Sequence, residues 1–394
     1  LHSTSRRQRQ MCIRDRNIYS LMGIMVGLPS PSGSEKDLQL NFGKNMTVQV
    51  EMRASHLPAE WHMQSGIQLT WPHAGTDWAY MLAEVQKCFI NIAREIAKRE
   101  LLLIVTPEPE EVKKQIAATV NMNNVRFLEC ATNDTWARDH GAITMIDTGT
   151  PSLLDFTFNG WGLKFASELD NQITKHAVEA GALKGQYIDH LDFVLEGGSI
   201  ESDGMGTLLT TSKCLLSPQR NGRLNQVEIE EYLKSTFHLQ KVLWLDHGYL
   251  AGDDTDSHID TLARFCSTDT IAYVKCENKE DEHYEALLAM EEQLKTFRTL
   301  AGEPYRLLAL PMADKIEEDG ERLPATYANF LIMNDVILYP TYNQPVNDKK
   351  AGEVLQQAFP NHQIIGIDCR ALIKQHGSLH CVTMQYPLGV IKES

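Results

Sequence analysis

One thiol, one imidazole and three carboxylates stand in short motifs spread along the chain. Cys381 lies in HGSLHCVTMQYP, His258 and Asp260 in DTDSHIDTLARF, Glu196 in FVLEGGS and Asp139 in NDTWARDHG. Together these side chains can perform one recognisable kind of chemistry. Acids hold a planar cation such as a guanidinium, a thiolate adds to its carbon, and a histidine moves the protons.

Each residue also has a plainer reading. A free cysteine is most often a small buried apolar residue, and it turns nucleophilic only where a cationic or dipolar surrounding lowers its thiol. His380 precedes Cys381, but on a strand it would face the opposite side, so His258 is the expected base. His258 and Asp260 share a face if their segment is extended. The same loop offers Asp253, Asp254, Asp256 and His258 as oxygen and nitrogen donors, so a metal site or a solvated acidic loop stays open. Glu196 is followed by Gly197 and Gly198, which permit a sharp turn or close approach to a ligand; alone it reads as a turn. Asp139 follows Trp136, whose ring suits an alkyl chain or a cation, but Arg138 can equally pair with it. A nucleophile elbow, a P-loop and a dinucleotide fingerprint are all missing.

The elements that must carry these residues alternate. Helical periodicity and stop signals mark 77–100, 109–120, 170–183, 225–237, 283–302 and 349–359. Strands VRFLEC, QYIDH, KVLWLD, YRLLALP and QIIGIDC follow helices, and hairpins are read at TLLTT–SKCLLS and YANFLIM–ND–VILYPTY. This amounts to five copies of a strand, hairpin and helix module. Soon after four of the five strands comes Asp139, Glu196, His258 or Cys381. The strand YRLLALP is followed only by YANF, with no acid, base or nucleophile. Five modules closed around an axis would bring the four positions to one central cavity.

Composition narrows the class. The chain has 394 residues and a formal charge of −15, which disfavours nucleic acid as a partner and suits a cationic substrate. Its eight cysteines show no CxxC pattern, as expected for free thiols in a reducing, cytoplasmic setting. No apolar run approaches the roughly 20 residues that span a bilayer, so no membrane partner is expected. Residues 1–45 read as a leader without chemistry, either non-native or disordered sequence ahead of a start near Met46 or a secretion signal. Residues 46–394 read as one catalytic domain.

The motifs taken together resemble the agmatine deiminases of the guanidine-modifying superfamily, which includes peptidyl-arginine deiminases. The likeness runs from LPAEWHMQSGIQLTWPH through NDTWARDHG, DFTFNGWGLKF, LDNQ, FVLEGGSIESDGMGTLLTT, SHIDTLARF and NQPVND to LHCVTMQYP. It implies an α/β fold, the five-bladed α/β propeller (pentein) of ββαβ-type modules. It implies hydrolysis of agmatine, a step of polyamine supply, through a covalent amidino-cysteine on Cys381. His258 then resembles the general acid/base. Asp139, Glu196 and Asp260 resemble the carboxylates that hold the guanidinium, and Trp136 and Gly377 substrate contacts. The resemblance implies no cofactor and no metal, and a homodimer as the assembly. The chain departs from the family where QHGSLHC replaces GGGNIHC. His376 and Ser378 stand where glycine and asparagine are common, and both are candidates to touch the far end of the substrate. Arginine or peptidyl-arginine deimination, and a non-catalytic pentein, are the competing readings.

Overall fold

Five times along the chain a pair of short apolar strands forms an antiparallel ladder, and a helix then returns the chain to a third strand parallel to the second. A computed structural model describes residues 55–146 and 150–393 of the protein. The modules are Ile143–Met145, Ser152–Thr157 and Gln186–Val194; Ile200–Ser202, Thr207–Thr211 and Lys241–Leu245; Ala263–Ser267, Thr270–Lys275 and Arg306–Pro311; and Leu331–Ile332, Val336–Thr341 and Gln363–Asp368. The fifth sheet joins the two ends of the chain. Thr383–Pro387 pairs antiparallel with Gln64–Thr70, which runs parallel to Leu101–Thr106, and Val125–Glu129 adds one further parallel strand. Glu317–Glu318 and Glu321–Arg322 form a small separate hairpin.

The middle strands are buried on both faces and are correspondingly rich in Val, Ile and Leu, as in Thr270–Lys275 and Val336–Thr341. Helices cover them with one apolar stripe. In Leu82–Ala97, Val85, Phe89, Ile92 and Ile96 recur at helical spacing and are wholly buried. Each such side chain contributes about 1.5–3 kcal/mol relative to exposure. The helix Gln226–Phe237 starts with a capping box, in which Asn225 accepts from Glu228 N and Glu228 reaches back to Asn225 N.

The expected helices and post-helix strands are all present. One hairpin is not. Thr207–Thr211 pairs back with Ile200–Ser202, while Ser212–Leu215 forms a single helical turn. Thr211 accounts for the turn, because its hydroxyl accepts from Cys214 N and caps it. Among the described residues no helix is long and apolar enough to cross a membrane. The expected leader over 1–45 lies outside the described residues.

Candidate active site

In every module the segment just ahead of the hairpin's first strand turns inward with a polar residue. Asp139 precedes Ile143–Met145, Glu196 precedes Ile200–Ser202, Asp260 precedes Ala263–Ser267, Asn329 precedes Leu331–Ile332 and Cys381 precedes Thr383–Pro387. These segments are turns or single helical turns, which frees the side chains from the alternation of a strand. Asp139 sits in the turn Ala137–His140 and Asp260 in Ile259–Thr261. The expected extended H-x-D segment is therefore a 3-10 turn, closed by Thr261 Oγ1 donating to His258 O at 2.8 Å. Ahead of it, Asp256 and Ser257 take left-handed φ angles of 67° and 65°, a strained pair for non-glycine residues. The half-buried Asp253 holds that bend, its carboxylate accepting from Thr255 N, Thr255 Oγ1 and Ser257 N.

Four of these groups meet closely. Cys381 Sγ is 3.4 Å from Asn329 Oδ1 and 3.9 Å from Asp260 Oδ2. Asp139 accepts from Gly198 N at 3.0 Å and from Trp161 Nε1 at 2.9 Å, and His258 Nδ1 lies 3.6 Å from its Oδ1. Gly198 marks the convergence. A Cβ there would stand 2.7 Å from His258 Nδ1, 2.8 Å from Asp139 Oδ1 and 3.2 Å from Asp260 Oδ2. Only glycine leaves room for the three to approach one another.

Glu196 is placed differently from its expected role on a substrate guanidinium. Its oxygens accept from Arg220 Nε at 2.8 and 2.9 Å, and Arg220 also donates to Asp256 Oδ2 at 2.7 Å and Thr255 O at 2.9 Å. The chain's own guanidinium thus occupies Glu196 and ties it to the loop that carries His258. Glu196, Cys214 and His258 bring donor atoms within 4.8 Å of one another, but a metal ion there would compete with Arg220 for the carboxylate. Of the acids that sequence alone left open as ligands, Asp253 is spent on this loop's own hydrogen bonds and Asp256 on Arg220 and Lys164.

His380 also departs from expectation. Cys381 lies on a turn rather than a strand, so His380 faces the site's rear wall. Its Nδ1 is 2.8 Å from Asp260 Oδ2 and its Nε2 is 2.8 Å from Glu60 Oε1. Arg264 extends this buried network by pairing with both Glu60 and Glu201.

Electrostatics follow from burial and neighbours. Burial pushes the Asp139 carboxyl well above the usual range, and Asp260 and Glu196 nearby push it further. Its two hydrogen-bond donors are neutral N–H groups, so the charge is left without a lysine or arginine partner. Burial also acts on Asp260, but its hydrogen bond to His380 and the charges of His380, His258 and Arg264 outweigh it and hold this carboxyl below the ordinary value. The Cys381 thiol is pushed well up by burial and by Asp260 and Asp139. Burial takes His258 down to about 3. Without a bound cation, thiol and imidazole are both neutral. Two buried atoms at the centre, Asp260 Oδ1 and His258 Nε2, have no hydrogen-bond partner among the described residues.

A cavity of about 430 Å³ opens onto Cys381. Trp136, Asp139 and Gly377 line it, together with Trp161, Phe165, His376 and the rim acids Asp77, Asp134 and Asp254. No lysine or arginine is among its described lining residues. Trp136 is fixed by Nε1 donating to Asp134 Oδ2 at 3.1 Å, and a Cβ on Gly377 would fall within its ring. His258, Asp260 and Glu196 are not on the cavity wall. Of the two departures, His376 is at the mouth, with Nδ1 2.6 Å from Gly252 O. Ser378 turns away, its Oγ 3.1 Å from the buried Tyr342 hydroxyl. Sequence reasoning missed Asn329, Arg220 and the inward role of His380. The position of YANF directly before a hairpin was the available signal for Asn329.

Residues 56–387 match the family model of the Porphyromonas-type peptidyl-arginine deiminases. A Porphyromonas gingivalis structure provisionally assigned as an arginine deiminase is 50% identical, covers 86% of this chain and 100% of its own, and superposes with a TM-score of 0.81. The C. jejuni agmatine deiminase, solved as a cysteine-to-serine variant with substrate bound, is 39% identical over 87% of this chain and 98% of that one, with a TM-score of 0.78. A protein of Marinomonas sp. (strain MWYL1), provisionally named an agmatine deiminase, is 32% identical over 84% of this chain and 94% of its own length. The chain therefore belongs to the Porphyromonas-type peptidyl-arginine deiminase family and is a hydrolase of the agmatine-deiminase type, acting on guanidinium carbon–nitrogen bonds.

Proposed function

We propose that the protein hydrolyses agmatine to N-carbamoylputrescine and ammonia through an amidino-cysteine on Cys381, within a pentein whose five modules ring one central site. The observation that carries this reading is the charge of the cavity. Carboxylates lie at its floor and rim, and no lysine or arginine is among its described lining residues. A guanidinium at the floor is matched by Asp139 on the wall and by Asp260 behind it, 3.9 Å from the Cys381 sulfur, and a terminal ammonium at the mouth meets Asp77, Asp134 and Asp254. The carboxylate of free arginine would meet those acids, with only the polar side chains of Thr255, Gln375 and His376 to offset them.

In this mechanism the bound cation offsets the carboxylates and lowers the Cys381 thiol, and His258 takes the thiol proton only as the sulfur adds. Sγ adds to the guanidinium carbon to give a tetrahedral adduct. His258 returns the proton to one amino group, ammonia leaves, and a thiouronium remains on Cys381. Neutral His258 then takes a proton from water as its oxygen adds to the same carbon. The C–S bond breaks as the adduct's hydroxyl proton passes to the sulfur, which releases the ureido product and restores the thiol, and His258 gives its proton up to solvent, where it makes ammonium. Glu196, held by Arg220 within 4.8 Å of His258, acts by positioning that side of the imidazole. Trp136 flanks the alkyl chain.

The test is ammonia release from agmatine, free arginine and a blocked peptidyl-arginine side by side. Turnover of agmatine alone is expected. Turnover of arginine would overturn the substrate and keep the chemistry. Cation binding is also expected to release protons. Asp139 is protonated up to an abnormally high pH in the free enzyme, and a guanidinium lowers its pKa again, so the proton leaves on binding. Calorimetric titration of agmatine into Cys381→Ser near neutral pH, in buffers of different ionisation enthalpy, reads this directly. A buffer-independent heat would remove Asp139 from the cation site.

A further inference from the structure

Four modules supply the site with a carboxylate or the thiol, and the fifth supplies an uncharged amide at the same structural position. Asn329 is fully buried and uses both ends of its side chain. Oδ1 accepts from His380 N at 2.8 Å and from Cys381 N at 3.3 Å, and Cys381 Sγ lies 3.4 Å from it. Nδ2 donates to Asp260 Oδ2 at 3.2 Å and to Asp260 O at 3.4 Å. The partners fix which end is which, since two backbone N–H groups demand an acceptor and the Asp260 oxygens demand a donor. The backbone on either side is gripped as well. Arg264 Nη1 donates to Ala328 O at 3.1 Å and to Phe330 O at 2.7 Å.

We infer that Asn329 is a positioning residue that sets the Cys381 thiol in register with the Asp260 carboxylate, so that a cation held by the acid presents its carbon to the sulfur. No other proteinogenic side chain of this length does the same. Leucine would leave two backbone donors and a carboxylate unserved. Aspartate would keep the acceptor, lose the donor and set a second negative charge against Asp260 and the thiol. The inference rests on the proposed deiminase chemistry, but its test does not need agmatine to be the substrate.

The test compares two alkylators with the same leaving group, cationic chloroacetamidine and neutral chloroacetamide. In the wild type the amidine is expected to react faster with Cys381, because Asp260 guides it. In the full-length Asn329→Ala variant that preference should fall toward one. The chloroacetamide rate should stay within about threefold, and kcat for agmatine should drop about 10²-fold with a much smaller change in KM, as expected for loss of alignment. Asn329→Asp, nearly isosteric, covers the case in which the alanine variant does not fold. It should lose the preference too and should need a higher pH for alkylation by either reagent. A wild-type preference and kcat in the variants would overturn the inference. So would a parallel fall of both alkylation rates with thermal stability, which marks a merely structural role. Absence of agmatine turnover in the wild type would sink the substrate reading and leave the alkylation preference to decide this one.

Discussion

Cys381→Ser is expected to abolish turnover, with a loss on the order of 10⁴-fold or more, while the protein still folds and still binds the cation. Serine differs from cysteine by one atom, so the turn before Thr383–Pro387 and the bonds from Asn329 Oδ1 to the backbone remain. The chemistry does not remain. A thiol ordinarily ionises near pH 8.5, and the bound cation can bring the raised Cys381 thiol back toward a useful range. A serine hydroxyl lies far beyond that reach, and His258, itself hard to protonate, is a poor partner for forming an alkoxide. The carboxylates are untouched, so agmatine affinity should stay within a few fold. Steady-state ammonia release, thermal melting and calorimetric binding on one preparation separate these effects. Wild-type rates would return Cys381 to the status of a small buried residue, and loss of binding together with turnover would indicate a damaged fold.

How far the sequence carries depends on whether a role is written in charge or in contact. Helix stripes such as Val85, Phe89, Ile92 and Ile96 and the apolar middle strands are local patterns, and the five modules follow from them. The four reactive positions were visible because acids, imidazole and thiol advertise chemistry by type. Asn329 does not, since an amide is equally at home in any turn, and its importance comes from equivalence with the other four inward turns. Arg220 and Glu196 are 24 residues apart and Arg264 and Glu201 are 63 apart, so no spacing rule pairs them. Two readings went astray for one reason. Treating the segments around Cys381 and His258 as extended set His380 opposite Cys381 and rested the shared face of His258 and Asp260 on strand alternation, whereas both segments lie on turns. There neighbours such as His380 and Cys381 both point inward, one onto Asp260 and one into the cavity.

Asp260→Asn should lower kcat/KM by about 10²–10⁴-fold, corresponding to the roughly 3–5 kcal/mol lost when one partner of a buried charge pair is removed. Asp260 is at the crossing of the site's contacts. Its Oδ2 meets His380 Nδ1 at 2.8 Å, Asn329 Nδ2 at 3.2 Å and Cys381 Sγ at 3.9 Å, and its buried Oδ1 is free for a substrate N–H. An asparagine offers one acceptor in place of two, and its N–H₂ group opposes whichever donor it meets. Both the hold on the guanidinium and the support from His380 then weaken. The variant carries a second signature of opposite sign. Asp260 is one of the charges that keep the Cys381 thiol protonated, so removing it should lower the thiol pKa and let a neutral alkylator react at lower pH than in the wild type. An enzyme that turns over more slowly while its nucleophile reacts more readily cannot be explained by misfolding. That pairing would assign Asp260 the role of orienting the cation at a cost to thiol ionisation, a cost that the cation's own charge repays once it is bound. If turnover fell without any change in the alkylation profile, the thiol would owe its resting state to burial and Asp139 alone.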